Sequence, residues 1–516
     1  MAAITVLHCL AVWGTVEKAW GQGSLTVGTL MQTEESFNGY TLLPINQSKD
    51  TYLINNCGEE VNRWTSEYIA GKMAYMLDDG SLLRTGDLGN PLFGAGGRGG
   101  VLEHFDWDGN LLWSFEMSSS TMCQHHDIAV MPNGHILALL WKSYPGQVWM
   151  ERGRNPELTS DVVWGTCVIE IDPFASDGGA VVWQWEVFNH LVQNFDPQRA
   201  NYGDPALHPG RLDVNYQAAG TDKDWLHTNS LAYNPELDQI MISSRDFNEI
   251  WILDHSVEDE LTSSQLGDLV YRWGNPEAYG RGDAQGQMLF GQHDARWIEG
   301  GQIMVFSNGN GRPEGPYSTV EVFTPPLLSD GSYSLGPYDP WGPVESDWRY
   351  PEEFDPEFFA LNSSGAHPLP NGNVLITEGG PGQLREINSV GDIVWSYVNP
   401  IGFAGSTPQG MFPSGNAVFR ATRYSADHPG LAGRDLPGLG VLEITNTPVT
   451  CTLYPEETCA LDLDHDYLID VDDLLLLLSS WGCLIDCPGD GNGDGSAGVA
   501  DLLLLLVGLG ETCSGP

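Results

Sequence analysis

IAVMPNGHILALL (residues 128–140) reads as an apolar strand, a tight Pro-Asn-Gly turn and a second apolar strand. Neither arm shows a 3.6-residue period, and both are too short for a buried helix, so the pattern is a β-hairpin. The same unit recurs as MAYMLDDGSLLRT (73–85), SLAYNPELDQIMISS (230–244), ARWIEGGQIMVFS (295–307), HPLPNGNVLITE (367–378) and GMFPSGNAVFRA (410–421). Between them lie phrases of a second kind, FDWDGNLLWSFE (105–116), AVVWQWEVF (180–188), GDLVYRWGNP (267–276) and INSVGDIVWSYVNP (387–400), each carrying a Trp-bearing outer strand. Six hairpins at irregular spacing predict an all-β, six-bladed β-propeller with loop insertions over residues 22–445. A β-sandwich is the competing architecture, but sandwiches rarely extend over 400 residues as one domain.

Composition narrows the partners. The 516 residues carry 22 Lys and Arg against 69 Asp and Glu, a formal charge of −47. Only five lysines are present, Lys18, Lys49, Lys72, Lys142 and Lys223. Phosphate backbones require clustered cations, so nucleic acid is excluded as a partner. Residues 2–16 (AAITVLHCLAVWGTV) have the length of a signal-peptide apolar region, and Ala19-Trp20-Gly21 supplies small residues at a cleavage spacing. Residues 1–21 are therefore expected to be a signal peptide and the protein to be secreted, surface-displayed or periplasmic; a buried N-terminal strand is the alternative. Beyond Cys9, eight cysteines remain, at 57, 123, 167, 451, 459, 483, 487 and 513, which suits an oxidising compartment. The leucine runs 474–478 and 502–506 are too short to span a bilayer.

The hairpin repeat also serves as a ruler. Eight residues before the turn glycine stand Lys72, His126, His293, Ser364 and Thr407, and the matching position of the glycine-free hairpin is His227. The innermost strand of each blade lines the central channel and begins at one mouth, so three histidines from three blades are expected to converge there. Their flanking words are Gln124-His125-His126-Asp127, Trp225-Leu226-His227-Thr228-Asn229-Ser230 and Gln292-His293-Asp294-Ala295, with Arg245 ending the His227 hairpin. Asp127 and Asp294 either orient an imidazole or anchor a turn. His367 lies three residues off the register and reads as structural. No carboxylate pair stands at the axis for glycoside hydrolysis, and no Gly-x-Ser-x-Gly elbow appears. Two chemistries remain: a transition-metal site built from imidazoles, as in a hydrolase or lyase, or an anion clamp in which one imidazole is the nucleophile. A non-catalytic adhesion propeller is a third class.

The words HHD, WLHTNS, SSRD and QHDAR, in this order, resemble the bacterial arylsulfate sulfotransferase family, and Arg420-Ala-Thr-Arg423-Tyr424 extends the likeness over roughly residues 25–445. The resemblance implies a six-bladed propeller that moves a sulfuryl group from a phenolic sulfate ester to a phenol. It implies no catalytic cofactor and no use of 3′-phosphoadenylyl sulfate. Carried over by position, His293 matches the histidine that is transiently sulfated. His126, His227, Asn229 and Arg245 match the residues that hold the sulfuryl oxygens and handle protons. Lys72 is added from the axis register alone, as a cation against the global negative charge. The chain shows no N-terminal dimerisation domain of the kind found in the best-known members, which leaves the oligomeric state open.

After a linker at 446–460, residues 461–516 contain two acidic loops. Asp462, Asp464, Asp466, Asp470 and Asp473 occupy positions 1, 3, 5, 9 and 12 of one calcium loop; Asp490, Asn492, Asp494 and Asp501 fill positions 1, 3, 5 and 12 of a second. Each loop runs into Asp-Leu-Leu-Leu-Leu-Leu, the start of a short helix. This duplicated loop–helix resembles a dockerin. The resemblance implies bound Ca²⁺ and docking to a cohesin-like or cell-surface protein; a calcium-stapled spacer is the alternative.

Overall fold

A computed structural model describes residues 25–218, 223–256, 267–445, 451, 453, 461, 463, 468–483, 489 and 496–509. Residues 1–21, expected to be a signal peptide, and most of the 446–460 linker lie outside the described residues.

Six antiparallel sheets are arranged as the blades of a propeller. Blades two to five are each continuous in sequence, with four strands running from the axis outwards. The innermost strands of blades two to six are Ile69–Met76, Met122–Val130, Thr228–Asn234, His293–Trp297 and Gly365–Pro368. The Trp-bearing phrases form the expected outer strands Leu111–Glu116, Ala180–Glu186, Tyr271–Trp273 and Ile393–Val398.

Alternation within the strands builds the core. In blade one, Leu42 and Leu53 face blade two with Ala74 and Met76, while their neighbours Leu43 and Ile54 face blade six with Leu375 and Trp395. Corresponding apolar clusters fill the other four blade interfaces. A strand buried on both faces reads as a nearly continuous apolar run, as in IMVFS (303–307), which is buried throughout.

The ring closes at both of its ends. Gly28–Gln32 pairs with the outer edge of blade six, on strand Ile393–Val398. Thr422–Ser425 supplies the innermost strand of blade one, pairing with Gly39–Pro44. This corrects one sequence expectation. Residues 410–421 do not form a hairpin, so Thr407 does not open an inner strand, and blade one is built from Gly39–Pro44, Asp50–Asn55 and Glu60–Thr65 plus the returning C-terminal strand. A disulfide, Cys57–Cys451, joins blade one to the segment beyond the ring, whereas Cys123 and Cys167 lie buried as thiols. No helix among the described residues is long and apolar enough to cross a membrane.

In the C-terminal region, helices Val471–Ser479 and Val499–Gly508 pack through Leu477 and Leu505. Asp462, Asp464, Asp466, Asp490, Asn492 and Asp494 lie outside the described residues. Asp470 caps the first helix by accepting from the Asp472 backbone N–H, and Asp473 accepts from the Asp470 N–H at 2.8 Å. Asp501 accepts from the Gly498 N–H at 2.7 Å. The carboxylates of Asp473 and Asp501 are buried at the helix starts.

Candidate functional site

The inner strands of blades two to five share an irregularity at the channel mouth. The pairing register slips between Ala70 and Ala74, between the partners of Ala138 and Leu140, between Thr228 and Ser230, and between His293 and Arg296. At these places Lys72, His126, His227 and Asp294 have φ of 113°, 51°, 41° and 55°. Positive φ is disfavoured for side-chain-bearing residues, so the surrounding sheet must hold these bulges. Their effect is to re-aim side chains that simple alternation would send into the blade interfaces.

The register residues are brought together on this mouth, Thr407 excepted. The His126 and His227 rings stand 4.9 Å apart at 74°. Phe419, delivered by the closing segment, lies 5.7 Å from the His126 ring and 6.2 Å from that of His293. Arg245 follows its strand directly, and its backbone N–H donates to the His227 carbonyl at 3.2 Å. Lys72 is half-buried and donates to Asn46 Oδ1 at 3.2 Å. Asn229 donates from Nδ2 to the carbonyl of Gln292, the residue before His293, at 2.7 Å. Gly97 presses on His126 from above. With φ of 97°, a Cβ at Gly97 would fall 2.0 Å from the imidazole, so only glycine fits.

Each histidine has a different partner, and the partners separate their proton affinities. His293 Nδ1 meets Asn308 Oδ1 at 2.7 Å, and the Asn308 amide is itself fixed by donating to the Ala360 and Ser363 carbonyls. An amide oxygen only accepts, so Nδ1 carries the proton and Nε2 keeps its lone pair. Burial, with a smaller contribution from Arg245 and His227, pushes the His293 value down to about 3. His126 Nδ1 lies 2.9 Å from His125 Nδ1, and burial together with His227, His125, His293 and Lys72 drives His126 well below the ordinary range. His126 is thus neutral. His227 goes the other way. Burial acts to lower it, but the Asp224 carboxylate, 2.7 Å from Nδ1, outweighs burial and raises it. Burial lowers Lys72.

Asp127 and Asp294 do not orient the adjacent histidines. Asp127 accepts from the Leu231 N–H of the next blade at 2.9 Å and from Tyr75 at 3.1 Å. Asp294 accepts from the Ala366 N–H at 3.0 Å. Arg420, buried on the axis, bridges both carboxylates. His367 accepts from the Arg423 N–H, a structural role as its off-register position implies. Among the described residues, no group of three His, Cys, Asp or Glu side chains is arranged to hold a metal ion.

The concentration of buried imidazoles has a consequence for acid stability. Burial brings His125, His293 and His367 down to about 3. An unfolded chain protonates these groups near pH 6.5, so their contribution is complete above that value and is lost as pH falls towards 3. The urea midpoint is therefore expected to fall steadily from pH 6.5 to 4; a flat profile over that window would contradict the neutral, buried state of these rings.

Sequence reading missed Asp224, Asn308, Trp141 and Gly97. Asp224 had a local signal, standing three residues before His227; Trp141 and Asn308 belong to the same hairpins as His126 and His293, and Gly97 comes from a loop of the preceding blade.

Comparison with known proteins follows the same lines. The family described as Arylsulfotransferase (ASST) matches residues 32–400. No curated protein matches. Solved structures with a similar course include a protein of unknown function from Bacteroides caccae, at 10% identity and TM-score 0.42, covering 75% of this chain and 99% of that one. A protein from Lactobacillus plantarum has 10% identity and TM-score 0.37, with 75% and 100% covered. An inactive virginiamycin B lyase from Staphylococcus aureus, solved with quinupristin, has 11% identity and TM-score 0.33, with 76% and 92% covered. The six-bladed reading rests on the strand order itself, and the family match spans most of that ring. The chain belongs to the arylsulfotransferase family.

Proposed function

We propose that the protein is an exported aryl-sulfate sulfotransferase working by ping-pong transfer through a sulfohistidine, without 3′-phosphoadenylyl sulfate. The observation that carries this reading is the pairing of a neutral His293, its Nδ1 proton fixed by Asn308, with a His227 on the neighbouring blade whose proton affinity the Asp224 carboxylate raises. In the first half-reaction His293 Nε2 attacks the donor sulfur; the N–S bond forms as the S–O bond to the aryl group breaks, and His227 gives its Nε2 proton to the departing phenolate. In the second, an acceptor phenol loses its proton to His227, its oxygen attacks sulfur, and the N–S bond breaks. Sulfuryl transfer shares with phosphoryl transfer a loose transition state whose charge sits on the non-bridging and leaving oxygens. Arg245, Asn229, Lys72 and neutral His126 would hold those oxygens, Arg245 and Lys72 as the cations of the site in a chain of charge −47.

Initial-rate measurements with 4-nitrophenyl sulfate and phenol test this directly. Parallel double-reciprocal lines and formation of phenyl sulfate without any added nucleotide are expected; release of inorganic sulfate alone would sink the transferase reading. The Cys57–Cys451 disulfide supports folding in an oxidising compartment, consistent with export.

The C-terminal region is proposed to be a dockerin-like calcium module with a cohesin-like or cell-surface partner. The buried carboxylates of Asp473 and Asp501, one at the start of each helix, are oxygen donors of the type calcium takes. Asp470 and Asp473 would serve the first loop with Asp462, Asp464 and Asp466, and Asp501 the second with Asp490, Asn492 and Asp494. Empty loops would hold mutually repelling carboxylates, so chelation is expected to open this region. Limited proteolysis of the full chain should release a propeller-sized core faster in EGTA than in calcium; identical digestion in both would refute a calcium role.

A further inference from the structure

We propose that Asp224 is the positioning residue that makes His227 a proton donor, and that this one carboxylate also sets His126 through Trp141 and His125. The proposal rests on His227 acting as the acid in the reaction above. Asp224 is buried just ahead of the inner strand of blade four, and its two oxygens have different tasks. Oδ2 meets His227 Nδ1 at 2.7 Å, and Oδ1 accepts from the Trp141 indole N–H at 3.1 Å. Trp141 lies flat against His125, with ring centres 4.1 Å apart and planes 9° apart. His125 in turn holds Nδ1 to Nδ1 contact with His126 at 2.9 Å. Phe93 and Trp164 also pack against Trp141, so the indole has a fixed attitude.

The other groups acting on His227 are Asp246, Arg245, His125, His126 and His293. Asp246 is paired with Arg245. The remaining titratable neighbours named among the described residues are imidazoles. Asp224 is thus the carboxylate hydrogen-bonded to the His227 ring.

Donor and acceptor counting shows why an amide cannot replace it. Trp141 Nε1–H and a protonated His227 Nδ1–H both need an acceptor, and a carboxylate offers one oxygen to each. Asparagine has one oxygen. If the indole keeps it, the NH₂ group faces His227 Nδ1, which must then present a lone pair. His227 keeps an Nε2–H to hold an oxygen but has no proton to give at neutral pH.

Asp224→Asn in the full-length protein is therefore expected to affect donors unequally. Phenyl sulfate, whose leaving group needs a proton, should lose on the order of 10²-fold or more in turnover, the usual worth of a positioned general acid. 4-Nitrophenyl sulfate, whose phenolate departs unaided, should lose much less. Asp224→Glu should restore part of the phenyl sulfate rate. A purely structural role would lower both donors alike, and that outcome would overturn the proposal. Imidazole NMR provides a readout separate from activity. In the unmutated protein His227 should stay protonated above the ordinary histidine range, and in Asp224→Asn it should not; titration of the unmutated His227 at or below that range would also overturn it. If the unmutated protein transfers no sulfuryl group from either donor, the reaction assignment fails, while the titration still decides the role of Asp224.

Discussion

Replacing His293 by asparagine is expected to abolish both donor cleavage and transfer, by on the order of 10⁴- to 10⁶-fold, the scale on which loss of a covalent nucleophile is felt. The expectation follows from its setting. His293 opens the inner strand of blade five, is buried, and has its Nδ1 committed to Asn308, so its reactive nitrogen is Nε2. Burial keeps the ring neutral at working pH, which is the state an attacking imidazole needs. The neighbours are set differently: His227 is raised by Asp224, and His126 faces His125 through Nδ1. His126→Asn should accordingly keep part of the cleavage of an activated donor, because an asparagine amide still reaches the sulfuryl oxygens. Quenching with labelled donor should place an acid-labile sulfuryl group on the peptide containing His293. Label on the peptide containing His126 or His227, or near-normal turnover of His293→Asn, would refute the assignment.

The largest effect on stability is expected from Arg420→Met. Arg420 is buried at the axis and bridges Asp127 of blade three and Asp294 of blade five; Asp127 accepts from a backbone N–H of blade four through the oxygen that Arg420 holds, and Asp294 from one of blade six through its other oxygen. Burial alone would raise Asp294, but Arg296 and Arg420 together hold it below the usual carboxylate range. Methionine keeps the length of the side chain and removes the charge, leaving two carboxylates short of a counter-ion inside the ring. Breaking a buried pair in this way costs about 3–5 kcal/mol. Chemical unfolding at pH 7 should show that loss, and Asp127→Asn combined with Arg420→Met should recover part of it. A loss under about 1 kcal/mol would mean that the axis tolerates uncompensated charge.

The sequence shows the propeller clearly where one blade is one uninterrupted stretch. Blades two to six each announce themselves by a hairpin between two apolar runs, because their first two strands are neighbours in sequence and both faces are buried. Blade one does not. Its inner strand, Thr422–Ser425, comes from the far end of the chain, so no local pattern records the pairing with Gly39–Pro44. The turn signal in Pro413-Ser414-Gly415-Asn416 is real as a turn but has no second strand to serve, and Thr407 fell out of the register with it. The histidines were legible for a different reason. The bulges recur at one place in blades two to five, so a ruler laid on the turns finds Lys72, His126, His227 and His293 together. Their proton states were not legible: Asn308 follows the strand paired with that of His293, as Arg245 follows the strand paired with that of His227, but which ring nitrogen each partner meets is set only by the folded site.

The two-ended closure of the ring bears on how the chain folds as it is made. Gly28–Gln32 is synthesised early but has its partner strand at Ile393–Val398, and blade one waits for Thr422–Ser425. The Cys57–Cys451 bond, spanning 394 residues, can form only after that. Until the last inner strand arrives, both rims of the incomplete ring present bare strand edges, which are templates for pairing with other chains. Contacts this distant in sequence also slow folding. The ring therefore shuts in a single late event, and the bond between Cys57 and Cys451 is its final covalent clasp.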